Sequence, residues 1–99
     1  MYKIIYRSTR QDLDLNFLPK PQSFLDLIET EKSNGSLLEE SSTIEDDGYT
    51  ERDMLLWNKL DSLSQFNKQK AVTDFLKSLF EYNRKNNIYT NIIGEEYDE

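Results

Sequence analysis

The sequence predicts a single α+β domain, and two features of the chain carry that prediction. Short β-branched and aromatic segments stand near both ends, and two segments with helical spacing of apolar residues stand between them. At 99 residues the chain has the length of one domain, which we place at 1–94. The expected elements are a helical hairpin (51–63 and 67–84), a preceding short helix (23–33) and a small sheet from residues 2–6, 12–17 and 88–93.

The N-terminal third predicts two strands. Residues 2–6 read Tyr-Lys-Ile-Ile-Tyr, and residues 12–17 alternate polar and apolar side chains, as expected for a half-buried strand. Pro19 and Pro21 end the second strand, because proline has no amide hydrogen to donate to a sheet. Together these segments predict a β-hairpin.

A helix over 23–33 is expected next. Ser23 can cap its first turn, with Asp26 three residues later, and Phe24 and Ile28 lie on one apolar face. Asn34-Gly35 is a typical helix stop. The residues that follow, 34–50, are polar and acidic, so we interpret them as a connecting loop.

The helical hairpin is the element with the clearest sequence signals. Thr50 and Asp53 form an N-terminal capping pair, and apolar residues follow with helical spacing. Asn67 can cap a second helix that ends near Asn86-Asn87, and the β-branched run 88–93 predicts a final strand before an acidic tail, 95–99. The residues expected to form the core are Leu56, Leu60, Val72, Phe75, Leu76 and Leu79, with most of Trp57 and Phe80 also buried.

Charge is distributed unevenly along the chain. The net charge is −7, and ten of the nineteen carboxylates fall between Ser23 and Asp53, where only Lys32 and Arg52 offset them. Such a segregated acidic segment favours contact with a basic surface. The net negative charge argues against direct nucleic-acid binding, and no apolar stretch is long enough for a membrane span.

The sequence contains neither histidine nor cysteine. Those two residue types supply most general bases, nucleophiles and transition-metal ligands in proteins. We therefore predict no catalytic residues, no metal site and no cofactor. The lack of cysteine also suits a reducing compartment, so a cytoplasmic location is expected.

These observations predict a non-catalytic regulator or inhibitor that engages a basic surface of a partner protein. A nucleic-acid-binding protein is one such partner, and inhibitors encoded by phages and mobile elements have a comparable composition. The mechanism would be electrostatic steering, followed by burial of a few aromatic anchors. The residues expected to contact the partner are Glu39, Glu40, Glu45, Asp46, Asp47, Trp57, Tyr82 and Tyr97.

Two alternatives remain open at this stage. The chain could be a structural or accessory subunit of a stable assembly, held through the apolar edge of the helical hairpin, and a homo-oligomer is compatible with that interpretation. Lys70, Lys77 and Arg84 recur every seven residues and so lie on one side of the last helix. This basic stripe could contact phosphates or an acidic surface, although an ordinary solvated helix face is the favoured explanation.

Overall fold

The structure, a computed structural model, describes residues 1–96 and contains four strands and three helices over that range. The strands form one antiparallel sheet in the order β2-β3-β1-β4. The predicted α+β class is confirmed, and the connectivity is ferredoxin-like. The elements are β1 (Tyr2–Thr9), α1 (Gln22–Ser33), β2 (Leu37–Ile44), β3 (Thr50–Trp57), α2 (Leu60–Phe66), α3 (Lys70–Lys85) and β4 (Tyr89–Glu96).

An aromatic cluster joins the helices to one face of the sheet. The ring of Phe24 on α1 lies with its centroid 4.6 Å from that of Phe75 on α3 and 5.9 Å from that of Phe66 on α2. Phe66 in turn packs on Trp57 of β3 at 4.8 Å, and Trp57 is completely buried. Ile4 of β1 belongs to the same core. Large rings therefore supply much of the buried apolar area of this small domain.

The predicted first helix of the hairpin, 51–63, is wrong, because Thr50–Trp57 is the central strand β3. Glu, Met and Leu favour helices, but a strand paired on both sides gains more from tertiary contacts than from local propensity. Leu55, Leu56 and Trp57 are consecutive buried residues, and Leu55 and Trp57, two positions apart on the strand, share the core on the helix side of the sheet. Only Leu60–Phe66, the short α2, is helical in this region.

Two further predictions for the N-terminal half are also wrong. Residues 12–17 form a turn instead of a strand: the Asp12 side chain accepts a hydrogen bond from the Asp14 amide at 2.9 Å, and this competes with sheet pairing. The supposed loop 34–50 contains β2, which pairs with β3 through a turn at Gly48 with φ of +79°. An Asp-Gly turn between two eight-residue segments is a hairpin signal that the acidic composition obscured.

Other elements agree with the sequence pattern. The helix expected over 23–33 is α1, the second helix of the predicted hairpin corresponds to α3, and the last predicted strand, 88–93, overlaps β4 from Tyr89 onward. Glu95 and Glu96 of the predicted acidic tail belong to β4, and residues 97–99 lie outside the described range. No helix within residues 1–96 has both the length and the apolar composition needed to cross a membrane.

The predicted core is correct on α3 except for Phe80, and it is partly wrong elsewhere. Val72 and Phe75 are buried, and Leu76 and Leu79 pack against the core while half-buried. Leu60 is 46% exposed at the start of α2, and Phe80 is 42% exposed on the outer side of α3. Leu60 was expected inside the predicted helix 51–63, so the error in that element misplaced it. Phe80 was assigned to the apolar face of the last helix and lies outside the buried part of that face.

Candidate functional site

A cleft lies between the sheet and the helices, next to the aromatic cluster. The space within it that the centre of a water-sized molecule can reach is about 50 Å³. Such a space holds more than one water, and it extends to a partly open mouth. Its apolar walls include Leu18, Phe24, Ile28, Phe66, Phe75 and Leu79. A largely apolar cavity with a few polar groups is the usual form of a small-molecule site.

Two carboxylates of β3 enter this cleft. Glu51 and Asp53 are two residues apart on one strand, so both side chains point to the helix-covered face of the sheet. Across the strand pair, Ser8 lies opposite Glu51 and Tyr6 lies opposite Asp53. The register of β1 and β3 therefore places four polar side chains together at one end of the cleft.

Among the described residues, the Glu51 carboxyl has the pKa that is shifted furthest from its ordinary value. Burial raises its pKa from 4.5 to about 7, and the neighbouring Asp53 carboxylate adds to this effect. Lys20 and Arg10 act in the opposite direction, because positive charge favours the ionised carboxylate. Burial also raises the pKa of Tyr6, with Tyr2 adding to it, so the Tyr6 phenol stays neutral at physiological pH. A carboxyl group that exchanges its proton near neutral pH is suited to general base catalysis.

Lys20 provides a positive charge at the cleft. Its Nζ lies 3.1 Å from Oδ1 of Asp53 and donates a longer hydrogen bond, 3.4 Å, to Oγ of Ser42. The side chains of Lys20 and Asp53 are 23% and 20% exposed, so this ion pair is shielded from bulk water. A fixed ammonium beside two carboxylates gives the cleft a polar end in which the Asp53 carboxylate already balances the positive charge.

The segment that carries Lys20 is anchored to two other parts of the fold. The Arg10 guanidinium donates to the carbonyl of Leu15 at 2.7 Å and to that of Gly48 at 2.8 and 3.2 Å. The hydroxyl of Tyr82 on α3 donates to the carbonyl of Asn16. The chain from 10 to 20 is thereby attached to the β2–β3 turn and to α3, and it closes one side of the cleft.

A buried amide supports the same end of the cleft from α3. Nδ2 of Asn83 donates to Oγ1 of Thr90 at 2.8 Å and to Oγ of Ser8 at 3.5 Å. Asn83 and Ser8 are 3% and 5% exposed. This network ties α3 to β1 and β4 and satisfies polar groups that would otherwise be costly to bury.

The arrangement can bind a small apolar molecule and exchange a proton with it. Glu51 can accept the proton near neutral pH, and the Lys20 ammonium can stabilise the negative charge that remains. Within residues 1–96 no group of three or more acidic side chains is placed to hold a metal ion, and the sequence has no His or Cys. The chemistry available to the cleft is therefore that of carboxyl, ammonium, hydroxyl and amide groups.

The structure separates the carboxylates that were expected to form one partner-binding surface. Glu40 lines the cleft and accepts a bond from Lys32 at 3.2 Å, which raises the pKa of Lys32. Glu45 forms a bidentate pair with Arg7 at 2.7 and 2.8 Å, and this pairing lowers the pKa of the Glu45 carboxyl. Glu39 is exposed on β2, and Asp46 and Asp47 are exposed in the β2–β3 turn. A partner-binding role for these residues stays a prediction.

The aromatic anchors are placed differently from the expectation. Trp57 is completely buried in the core, so it cannot lie in an accessible interface. Tyr82 is half-buried and bonded to the Asn16 carbonyl. Tyr97 lies outside the described residues. Sequence reasoning missed the cleft residues Lys20, Glu51 and Asp53. The i, i+2 spacing of the two acids in a strand-compatible segment was a signal for Glu51 and Asp53, and no local spacing marked Lys20.

Comparison with solved structures identifies the fold. The chain is similar to a Deinococcus radiodurans protein assigned as an antibiotic biosynthesis monooxygenase, with a TM-score of 0.65 over 100% of this chain and 94% of that one. A second antibiotic biosynthesis monooxygenase gives a TM-score of 0.66 with full coverage of both chains. SnoaB, a cofactor-independent oxygenase from Streptomyces nogalater, gives 0.58 over 99% and 93%. The likeness spans the whole chain and establishes the fold.

Sequence identity to each of these three proteins is 11%, so the likeness concerns the fold and not the identity of individual residues. Comparisons with protein-family profiles and with curated protein sequences give no significant match. The structural likeness nevertheless contradicts the prediction of a non-catalytic regulator or inhibitor, and with it the prediction that the chain is not an enzyme. That prediction relied on the missing His and Cys and underestimated what a desolvated carboxyl group can do.

The raised pKa of Glu51 predicts how stability depends on pH. Below about pH 4.5 the carboxyl is protonated in both folded and unfolded chains and contributes nothing. Between 4.5 and about 7 the unfolded chain loses the proton while the folded chain retains it, so stability falls as pH rises and levels off above 7. Because the carboxyl is only half-buried, we expect the loss to be about 1 kcal/mol.

Chemical denaturation of Glu51→Gln at several pH values measures this effect. The variant should match the native chain near pH 4 and exceed its stability above pH 7, because Gln does not ionise. Glu39→Gln, which removes an exposed carboxylate, is the matched control and should follow the native pH profile. Equal pH profiles for the native chain and Glu51→Gln would show that Glu51 titrates normally.

Proposed function

We propose that this chain is a small oxygenase that binds a small, largely apolar molecule in the cleft and removes a proton from it with Glu51. The observation that carries the proposal is the Glu51 carboxyl, whose pKa of about 7 results from its position in an apolar cleft beside Asp53. A base of that acidity is half ionised at neutral pH and can both accept and return a proton.

The fold supports oxygen chemistry for this proton transfer. SnoaB, which shares the fold, is a cofactor-independent oxygenase. In such chemistry the substrate itself must supply electrons to O₂, and a carbanion formed by proton removal is a far better electron donor than the neutral molecule. A desolvated base beside a cationic group is suited to forming that carbanion.

The proposed reaction converts an activated CH₂ group into a ketone. Glu51 takes one proton from the carbon, and the electron pair left there forms a C–O bond with O₂. Protonation of the resulting peroxide gives a hydroperoxide, which loses water to leave C=O. The sum is R₂CH₂ + O₂ → R₂C=O + H₂O, and it balances without another reductant.

A panel of aromatic carbon acids, namely indanone, tetralone and anthrone, tests the proposal. We expect oxygen uptake above the rate in buffer for at least one of them, with one atom of isotope-labelled O₂ in the ketone and the other in water. Absence of both binding and oxygen uptake across the panel would contradict the proposal.

A cytoplasmic location is also part of the proposed function, since a chain without cysteine needs no oxidising compartment.

A further inference from the structure

The cleft is smaller than the substrate that the proposed function requires. The space in it that the centre of a water-sized molecule can reach is about 50 Å³. Sites that bind small molecules typically measure roughly 300–1,000 Å³. A bicyclic carbon acid such as tetralone therefore does not fit beside Glu51 until one wall of the cleft moves.

One wall is a short segment without regular secondary structure, residues 16–20 (Asn-Phe-Leu-Pro-Lys), which we call the strap. Leu18 and Lys20 of the strap line the cleft. Within residues 1–96, no main-chain group of the strap is hydrogen-bonded to another main-chain group. Apart from Asn67, the other lining residues belong to the paired strands and to the helices. The strap can therefore move without breaking any of these elements.

Both ends of the strap are fixed to the rest of the fold. Before it, the Arg10 guanidinium donates to the carbonyl of Leu15 at 2.7 Å and to that of Gly48 at 2.8 Å. After it, the Pro21 carbonyl accepts hydrogen bonds at 3.1 Å from two amides in the first turn of α1. Motion of the strap is thus a swing between two fixed points, and it leaves β1 and α1 in place.

Side-chain contacts hold the strap against the cleft. The hydroxyl of Tyr82 on α3 donates to the Asn16 carbonyl. At the other end of the strap, Nζ of Lys20 bonds Asp53 at 3.1 Å and Ser42 at 3.4 Å. Where water can reach a hydrogen bond it replaces the lost partner, so each such contact contributes little net free energy. These contacts can break and re-form while the rest of the domain stays folded.

We propose that the strap swings away from the cleft to admit the substrate and then closes over it, with the Tyr82–Asn16 hydrogen bond as the latch of the closed state. This inference rests on the proposed function, because the size of the substrate requires the motion, and it adds the route by which the substrate reaches Glu51. Closure returns Leu18 and Lys20 to the cleft and excludes water before the proton is transferred. Tyr82 does not line the cleft, so the latch can be removed without altering the site.

A single cysteine in the cleft wall measures how often the strap opens. The sequence has no cysteine, so Val72→Cys can be alkylated by iodoacetamide at that position alone. Val72 lines the cleft and is 1% exposed, so the thiol should react only while the cleft is open. Adding Tyr82→Phe should raise the alkylation rate roughly two- to tenfold, the factor expected when one hydrogen bond of the closed state is lost. Leu76→Cys, at another lining position, serves if Val72→Cys does not fold.

The dependence on urea separates opening of the strap from unfolding of the domain. A swing of five residues exposes little surface, so the alkylation rate should hardly change at low urea concentrations, whereas alkylation through global unfolding rises steeply with urea. Ser62→Ala is the matched control, because it also removes a hydroxyl-donated hydrogen bond at an exposed position, from Ser62 to Asn58 on the far side of the fold from the latch. It should leave alkylation of Val72→Cys unchanged.

Three results would overturn the strap: no alkylation of the folded Val72→Cys chain, equal rates with and without Tyr82→Phe, or a rate that follows global unfolding in urea. Equal acceleration by Ser62→Ala would likewise refute it. Alkylation needs no substrate, so the two proposals can fail separately. Oxygen uptake by the carbon acids with unaccelerated alkylation refutes the strap alone, and accelerated alkylation with neither binding nor oxygen uptake refutes the proposed function alone.

Discussion

Replacement of Glu51 by Gln should reduce oxygenation of the carbon acids by about 100-fold or more, the usual range for loss of a general base. The amide has nearly the same shape and cannot accept the proton, so substrate binding should change much less than turnover. The measurement is the rate of oxygen uptake at saturating substrate, together with the dissociation constant. The native rate should rise with pH through about 7, as the Glu51 carboxyl ionises.

Glu39→Gln is the control for this experiment, because it removes an exposed carboxylate that does not line the cleft. It should leave oxygen uptake unchanged. Oxygen uptake by Glu51→Gln within a few-fold of the native rate would exclude Glu51 as the base and direct attention to Asp53. If oxygen uptake were equally impaired in the Glu39 variant, the loss would be caused by the change in net charge and not by the removal of a carboxylate from the cleft.

Replacement of Phe75 by Ala should have the largest effect on stability. Phe75 is 6% exposed, and its ring lies 4.6 Å from that of Phe24, at the contact between α3 and α1. Removal of a buried phenyl ring leaves a cavity and typically costs 3–5 kcal/mol, out of about 5–15 for a whole domain. Denaturant unfolding of the variant measures the loss directly.

Phe80 on the same helix provides the comparison. It is 42% exposed, so Phe80→Ala should cost less than about 1 kcal/mol. Because Phe75 also lines the cleft, its variant should bind aromatic ligands poorly even under conditions where it is folded. Similar losses of stability for both variants would mean that the buried face of α3 has been assigned incorrectly.

The sequence correctly predicted those elements that can be recognised from the pattern of their own residues. In α3, Val72 and Phe75 mark a helical face that needs no other part of the chain to be recognised. The segment Thr50–Trp57 is different, because its residues suit a helix and become a strand only through pairing with β1 on one side and β2 on the other. That information is distributed over three segments and is not present in any one of them.

The same error concealed the candidate site. In a helix, Glu51 and Asp53 would project about 200° apart and would look like ordinary charges at a helix N-terminus. In a strand they share a face and enter the cleft together. Lys20 reaches Asp53 across 33 positions of sequence, a contact that follows from the fold and from no local spacing.

A titration of the Glu51 side-chain carboxyl by carbon NMR tests the central claim most directly. The resonance can be assigned by its absence from Glu51→Gln, and its chemical shift followed from pH 3 to 10 reports the ionisation of that one group. The account predicts a midpoint near 7, since burial and the Asp53 carboxylate both disfavour the charged form. A midpoint near the ordinary value of 4.5 would show that Glu51 is solvated, and the proposed base would then be an ordinary surface carboxylate.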